Sequence, residues 1–292
     1  MSEISISPII QTMLFGLGDC RKPQEATSCI IEEHLQQQLD FIVYKAHACS
    51  GNSESEEITV RNILFLLRNN PVRLQRVYQY FDLKSKRQEI TGAISGTATT
   101  NKDIAADLKS CFFTGTKKSR NVNVKQLILE FLDEFKIKID GEFIDEAKHE
   151  RLLRQNELSI EHSKEDYLVY EKSRSVSFDS WKHQREFNEW LGHKLKNNPG
   201  VSLLTPTSYE LLQYLAKEII AQIIDYAILL RNNAKSQSIK NSDLTSTGNE
   251  KVVPRPEAAV FPIMPDEVNE VMRRCQYTYM KPYQSVLYCI IF

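Results

Sequence analysis

The sequence predicts an all-α protein in which one plan occurs twice: a short helix, a long helix and another short helix. Residues 24–48 and 208–233 carry apolar side chains at spacings of three and four, the period of a helix with one buried face. Neither stretch contains glycine or proline, and shorter amphipathic segments flank both of them. The pattern of the first third of the chain therefore returns in the last third.

The first copy begins with an amphipathic segment at residues 8–16, which a glycine turn ends. The long helix 24–48 follows, and Thr59 is an eligible N-cap for the third helix, VRNILFLLRNN. Pro71 permits one more helix with an apolar stripe. Residues 1–83 are therefore predicted to form the first domain.

The middle of the chain divides into a linker and connecting helices. Residues 84–121 are polar and rich in Ser, Thr, Lys and Gly, which predicts a flexible, partly disordered linker. Its two basic tetrapeptides, KSKR and KKSR, are either nuclear-import signals or ordinary solvent-exposed loop residues. Residues 122–176 are predicted to form connecting helices. The second of these helices carries charged residues nearly all round its surface, and a Glu150–Arg154 pair at i,i+4 indicates that it is exposed.

The second copy occupies residues 177–276. Its short first helix is expected at 178–191, with Gly192 ending it, before the long helix 208–233. Pro-Asp-Glu, beginning at Pro265, is a helix start for the last short helix. Residues 277–292 form an unassigned tail.

The repeated short–long–short plan is the outline of a histone fold. In such a fold the central helix leaves its apolar face uncovered until a second copy crosses it, so pairing is obligatory. Because both copies belong to one chain, we predict two histone folds that pair intramolecularly. Helix 24–48 is then the mate of helix 208–233.

Composition narrows the function classes. The chain has 41% hydrophobic and 26% charged residues and a net charge of −1, ordinary for a globular protein and unlike one that neutralises many phosphates. Six cysteines without a CxxC pair, together with scattered histidines, predict a reducing compartment and no metal site. Neither a secretory signal nor a membrane span is expected. The sequence contains neither of the glycine-rich nucleotide-binding motifs GxGxxG and GxxxxGK[ST], nor the hydrolase motifs HExxH and GxSxG. No catalytic residue or cofactor is therefore predicted.

Short motifs in a fixed order resemble one family. MLFGLGD at 13–19 and ILFLLRNN at 63–70 resemble the histone-fold signature of a small TFIID subunit and of the Spt-three subunit of the SAGA co-activator. The second half resembles only the Spt-three family, through IDEAKHER at 144–151, EWL at 189–191, YLAKE at 214–218 and AILLR at 227–231. The resemblance covers residues 9–83 and 122–274.

The resemblance implies a nuclear, non-enzymatic subunit of a SAGA-type complex. Its implied partners are other SAGA subunits, including histone-fold TAF-type proteins, and the TATA-binding protein, which it helps to bring to RNA polymerase II promoters. The alternative is a promoter-associated DNA-binding histone-fold protein. The balanced charge argues against that alternative, because direct DNA binding requires basic arms or loops.

Two groups of side chains are candidate sites. Six charged residues are candidates for partner binding, three on the polar face of the second long helix and three near the ends of third helices: Lys217, Glu218, Asp225, Arg68, Arg273 and Arg274. The alternative is a solvated face, or a cation that is favourable at a helix C-terminus. Arg231 and Asp266 are predicted to form a structural ion pair in the second fold. The first fold has Asn62 where related sequences carry an acidic residue.

Overall fold

The computed structural model describes residues 4–50, 57–97, 124–138, 145–242 and 261–277. Within these ranges it is all-helical, as predicted, with no β-strand, and none of the described helices is long and apolar enough to cross a membrane. The α-helices are α1 (Ser7–Leu17), α2 (Glu25–Ser50), α3 (Val60–Leu67), α4 (Pro71–Thr97), α5 (Val124–Glu134), α6 (Glu146–Glu161), α7 (Lys164–Ser175), α8 (Gln184–Lys194), α9 (Pro206–Ser242) and α10 (Pro265–Tyr277), with a 3₁₀ turn at Pro199–Leu203.

The two long helices lie where the apolar period predicts them, and both exceed the predicted length. Helix α2 reaches Ser50, and α9 spans 37 residues from Pro206 to Ser242. Proline suits the first position of a helix, where its missing N–H would have no intrahelical partner. The polar residues at the end of α9 include no helix breaker, so the helix outlasts its apolar stripe.

Helix α4 corrects the predicted start of the linker. It continues to Thr97 instead of ending near residue 83, so the KSKR tetrapeptide is helical. Residues 84–89 are mostly good helix formers, and an Asp82–Lys86 ion pair of 2.8 Å joins successive turns. Residues 98–121, including the KKSR tetrapeptide, and the tail 278–292 lie outside the described residues.

Helix α8 begins and ends later than predicted. Residues 178–183 form turns, and the helix runs from Gln184 to Lys194 with Gly192 inside it. A glycine in a helix interior costs only about 1 kcal/mol, which packing of the buried Phe187 and Trp190 offsets here. The packing of the large side chains therefore determines where this helix ends, and Gly192 does not.

The chain divides into two compact units, and each contains segments from both halves of the sequence. The described part of the first unit comprises residues 4–39, 145–177, 215–242 and 261–277. The described part of the second unit comprises residues 40–50, 57–97, 124–138 and 178–214. Each unit thus includes a portion of α2 and a portion of α9.

The first unit packs α1 tightly against α7. A Cβ added to Gly16 would lie 2.7 Å from backbone atoms of Ser173 and Arg174, so only glycine permits this approach. Phe15 meets Tyr170 edge to face with ring centroids 5.2 Å apart, and Leu158 completes this buried cluster. Through these contacts α6 and α7 become part of the core around α1.

The second unit joins α4 to the start of α9. Tyr80 stacks on Tyr214 at a ring-centroid distance of 4.3 Å. One turn further along α4, Lys84 Nζ lies 3.1 Å from a carboxylate oxygen of Asp179 and 2.7 Å from one of Glu210. Burial alone would lower the pKa of Lys84, but the two carboxylates outweigh it and raise the pKa. The network fixes α4 against residues from the second half of the chain.

Candidate functional site

The segment that enters α10 is held by side chains from the beginning of the chain. Ile263 is buried two residues before α10. Its N–H donates to Asp19 Oδ1 at 2.8 Å, and its carbonyl accepts from the Thr27 hydroxyl at 2.7 Å. Asp19 follows α1, and Thr27 is the third residue of α2. Both backbone groups of a residue near position 260 are therefore satisfied by residues near position 20.

Asp19 acts here as a buried hydrogen-bond acceptor. The same Oδ1 also accepts from the Cys20 N–H at 2.7 Å. Burial raises the pKa of Asp19, although the two backbone hydrogen bonds and the nearby Arg231 charge oppose the rise. Its other oxygen, Oδ2, is buried and has no hydrogen-bond partner in the described part of the chain. The geometry thus uses the acceptor oxygen, while the negative charge is costly to bury.

The segment that enters α3 is held in the corresponding way. Ile58 is buried two residues before α3, and its N–H donates to the Leu203 carbonyl at 2.8 Å. Its carbonyl accepts from the Thr205 N–H at 3.2 Å and from the Ser208 hydroxyl at 2.7 Å. Ser208 is the third residue of α9, as Thr27 is of α2.

The two arrangements correspond at two positions, with the halves of the chain exchanged. Ile58 corresponds to Ile263, and Ser208 corresponds to Thr27. They differ in the second partner, which is the Asp19 carboxylate in the first unit and the backbone around Leu203 in the second. Such contacts hold segments together and offer no reacting group. Among the described residues, no three His, Cys, Asp or Glu side chains are grouped to hold a metal ion.

Arg231 anchors the same loop, with a partner one residue from the predicted one. Its guanidinium contacts the carboxylate of Glu267, with Nη2 2.5 Å from Oε2, instead of the carboxylate of Asp266. It also donates to the carbonyls of Phe261 at 2.9 Å and Pro262 at 2.5 Å. Successive helical residues point about 100° apart, so only one of the two neighbouring acids can face Arg231. The Glu267 hydrogen bonds raise the pKa of Arg231.

Replacing each acid in turn distinguishes the two partners. We expect Glu267→Ala to lower the free energy of unfolding by about 1–3 kcal/mol, because a half-buried guanidinium loses its charged acceptor. Asp266→Ala, in the same turn of α10, should change it by less than about 0.5 kcal/mol. Denaturant unfolding of both variants measures the difference. An equal loss for both would mean that Asp266 shares the role.

The predicted partner-binding face of α9 is occupied by α6 and α7 within the first unit. Lys217 Nζ donates to the Val176 carbonyl at 2.7 Å, just past the end of α7. Glu218 lies 3.6 Å from a guanidinium nitrogen of Arg151. Asp225 accepts hydrogen bonds from the guanidinium groups of two α6 arginines. These three candidates therefore make intramolecular contacts.

Asp225 is the centre of that ionic cluster. Arg151 approaches one of its oxygens with Nε at 2.8 Å and Nη2 at 2.6 Å, and Arg154 contacts the other oxygen. The three side chains are only 12%, 14% and 19% exposed for Arg151, Arg154 and Asp225. Burial lowers the pKa of Arg151, and the Glu218 and Asp225 charges more than reverse that effect. The sequence-based Glu150–Arg154 pairing is thus corrected, because Arg154 turns inward.

The other three candidates are exposed. Arg68 caps α3, donates to the Phe65 carbonyl at 2.8 Å and lies over the Phe65 ring. Arg273 and Arg274 both contact Glu270 on their own helix, and these hydrogen bonds lower the pKa of Glu270 to about 2. All three arginines are exposed on short helices.

Sequence reasoning missed the side chains that hold the loops and α6. The sequence patterns assign no such role to Asp19, Thr27 or Arg151. A polar residue at the third position of both long helices was a usable signal for Thr27 and Ser208. No local signal identifies the partner of Arg151, because Asp225 is 74 residues away.

Comparison with known proteins finds similarity to subunits of two transcription complexes. Residues 5–95 match the family model of the transcription initiation factor IID 18 kDa subunit. The chain is 25% identical over 248 residues to SAGA complex subunit Spt3 of Schizosaccharomyces pombe, covering 80% of this chain and 75% of the relative. It is 27% identical over 284 residues to SAGA complex subunit Spt3 of Drosophila melanogaster, an alignment that covers 94% of this chain and 68% of the relative. It is 22% identical over 313 residues to SAGA complex subunit SPT3 of Saccharomyces cerevisiae, with 91% of this chain and 90% of the relative covered.

The likeness to the 18 kDa subunit covers only the first part of the chain, whereas the Spt3 relatives align with most of it. They do so in three distant organisms and include the region of the Arg151 cluster and α9, which the shorter match does not reach. The chain is thus similar to the Spt3 proteins along most of its length, and to the 18 kDa subunit in its first part.

Proposed function

We propose that this chain is a non-enzymatic subunit of a SAGA-type transcription co-activator and acts in the nucleus. Three relatives that align with it over most of their lengths are named as SAGA complex subunits. Four of the candidate residues form hydrogen bonds and ion pairs within the chain: Lys217, Glu218, Asp225 and Arg231. A role in assembly accounts for these contacts without a chemical reaction.

The proposal includes two histone folds, residues 1–83 and 177–276, paired within one chain. In it, α1, α2 and α3 form one fold, α8, α9 and α10 form the other, and the two long helices cross. The correspondence between the Ile58 and Ile263 contacts carries this proposal. In each, the segment before the third helix of one fold binds the start of the long helix of the other. Units that each combine portions of α2 and α9 further support it.

Internal pairing determines what the subunit offers to its neighbours. Both apolar stripes are used within the chain, so its outer surfaces contact other SAGA subunits, including histone-fold TAF-type proteins, and the TATA-binding protein. Recruitment of that protein to RNA polymerase II promoters is the function we assign. The exposed arginines Arg68, Arg273 and Arg274 are the proposed contact residues. Lys217, Glu218 and Asp225 instead hold the connecting helices on α9.

Affinity purification of the tagged full chain from nuclear extract tests the proposal. We expect SAGA subunits and the TATA-binding protein to co-purify. Reversing the charge of Arg68, Arg273 and Arg274 should reduce the TATA-binding protein at least about fivefold while SAGA subunits remain. The control is Arg185→Glu, which reverses the charge of another exposed arginine, on α8. Absence of both partners from the unmodified chain contradicts the proposal, and an equal loss with the control contradicts the assignment of the three arginines.

The alternative of direct DNA binding receives little support. A net charge of −1 supplies no excess of cations for phosphate neutralisation. In addition, Arg151, Arg154 and Arg231 are neutralised by carboxylates of the chain itself. We expect no salt-dependent binding of free duplex DNA by the purified chain. A steep fall of affinity with salt, the mark of counterion release, would favour the alternative.

A further inference from the structure

Helix α6 has the reverse of the usual distribution of side chains. Its charged Arg151 and Arg154 face α9, and the only fully buried apolar residue of the helix is Leu158. The opposite side carries Leu152, Leu153 and Ile160, which are 48%, 49% and 84% exposed. A helix that only covers the protein surface normally directs its charges outward and its aliphatic side chains inward. The outer side of α6 therefore requires another explanation.

The exposed aliphatic residues form one stripe. Leu152 and Ile160 are eight residues apart, and Leu153 and Ile160 are seven apart, so all three lie on one side of the helix. Between them, Asn156 is the one intervening polar side chain on that side. Branched aliphatic residues at such spacing form the usual binding face for a partner helix. Single exposed apolar residues need no explanation, but a stripe of three does.

The stripe is bordered by acidic residues along one edge. Glu146, Glu150 and Glu157 are exposed. Glu150 is three residues from Leu153, Glu157 is four and Glu146 is seven, so all three lie beside Leu153 on the helix surface. None of these glutamates forms an ion pair within the described part of the chain. Because both α6 arginines point inward, Lys148 is the only cation on the outer side of this helix. The border is thus net negative.

We propose that the outer face of α6 binds an amphipathic helix of a partner protein, with aliphatic residues along its contact stripe and lysine or arginine beside them. Leu152, Leu153 and Ile160 form the apolar contact, and the Glu146, Glu150 and Glu157 border selects a basic partner. Charge complementarity of this kind increases association rates and excludes acidic helices. This site is distinct from the three arginines proposed above and does not depend on which complex contains the chain.

Two synthetic helical peptides test the site on the full chain. Both carry the same leucine stripe, one bordered by lysines and the other by glutamates, and fluorescence anisotropy measures their binding. We expect the lysine peptide to bind at least about tenfold more tightly than the glutamate peptide, with the preference decreasing at high salt. Equal affinity of the two peptides overturns the proposal.

Variants assign the binding to α6. Leu153→Glu combined with Ile160→Glu should weaken the lysine peptide at least about tenfold, and Glu150→Lys combined with Glu157→Lys should reverse the peptide preference. Leu83→Glu, at a similarly exposed leucine on α4, is the control. Unchanged binding by the α6 variants, or an equal loss with the control, overturns the proposal.

Thermal unfolding and sedimentation of the same variants test two other occupants. We expect Leu153→Glu combined with Ile160→Glu to leave the unfolding midpoint and the monomeric mass unchanged. A large fall of the midpoint would show that the chain itself covers the stripe, and self-association that the variant abolishes would show that a second copy does. Either result overturns the proposal of a basic partner helix.

Discussion

Replacing Asp225 with alanine should lower the free energy of unfolding by about 3–5 kcal/mol, because it leaves two poorly solvated guanidinium groups without their shared carboxylate. Arg151 would retain only Glu218, at 3.6 Å, and Arg154 would lose its charged partner in the described chain. Helix α6 should then detach from α9 before the rest of the first unit unfolds. Denaturant unfolding measures the free energy, and hydrogen exchange measures the detachment.

A surface ion pair provides the control for Asp225. Arg185 and Glu189 form a 2.6 Å pair on α8, with side chains 86% and 51% exposed. Glu189→Ala should leave the unfolding midpoint unchanged, since exposed pairs contribute little. If Asp225→Ala were as mild as Glu189→Ala, the cluster would not hold α6, and α9 would be free to present Asp225 to a partner as the sequence first indicated.

Replacing Asp19 with alanine should cost about 2–4 kcal/mol, because the buried N–H groups of Ile263 and Cys20 both lose their acceptor. Asp19→Asn retains an acceptor oxygen at the same place and removes the buried charge. We therefore expect this variant to be at least as stable as the parent at neutral pH. Denaturant unfolding of the two variants separates the role of the oxygen from that of the charge.

The pH dependence of Asp19→Asn follows from the raised pKa of Asp19 in the folded chain. Below the unfolded-state pKa of about 3.9, Asp19 is protonated in both states, and its full contribution to stability is present. That contribution decreases as the pH rises through the higher folded-state pKa. The advantage of Asp19→Asn should consequently grow between about pH 4 and pH 7. An advantage that shrinks over this range would mean that Asp19 acts mainly as a charged partner of Arg231.

The helices were largely predictable from sequence because their signals are local. Apolar spacing identified α2 and α9, and Thr59 marked the start of α3. The boundaries were less certain where two local signals competed. Gly192 predicted an end for α8, whereas burial of Trp190 and Leu191 favoured continuation, and packing prevailed.

The candidate site was less predictable because its contacts join distant segments. The polar face of α9 satisfied every local criterion for a solvated or partner-binding surface. Only the fold brings Arg151 to Asp225 and thereby converts that face into an internal contact. The loop residues Asp19 and Thr27 also gain their roles only when Ile263 lies beside them. In contrast, Arg68 and Arg274 remained exposed because helix ends are local features.

The central claim, that the two halves pair within one chain, can be tested by zero-length cross-linking of isotopically mixed protein. Unlabelled and heavy-isotope chains are unfolded together, refolded and treated with a carbodiimide, which joins an amine to a contacting carboxylate. Lys84 and Glu210, 2.7 Å apart, belong to different halves of the chain. Lys125 and Asp82, 2.6 Å apart, provide a control that does not involve the second fold.

We predict a Lys84–Glu210 cross-link in which both peptides carry the same isotope. Mixed-isotope cross-links at statistical abundance would show that the halves pair between chains. Loss of the Lys84–Glu210 link while the Lys125–Asp82 link still forms would show that they do not pair. Either result would contradict the intramolecular pair.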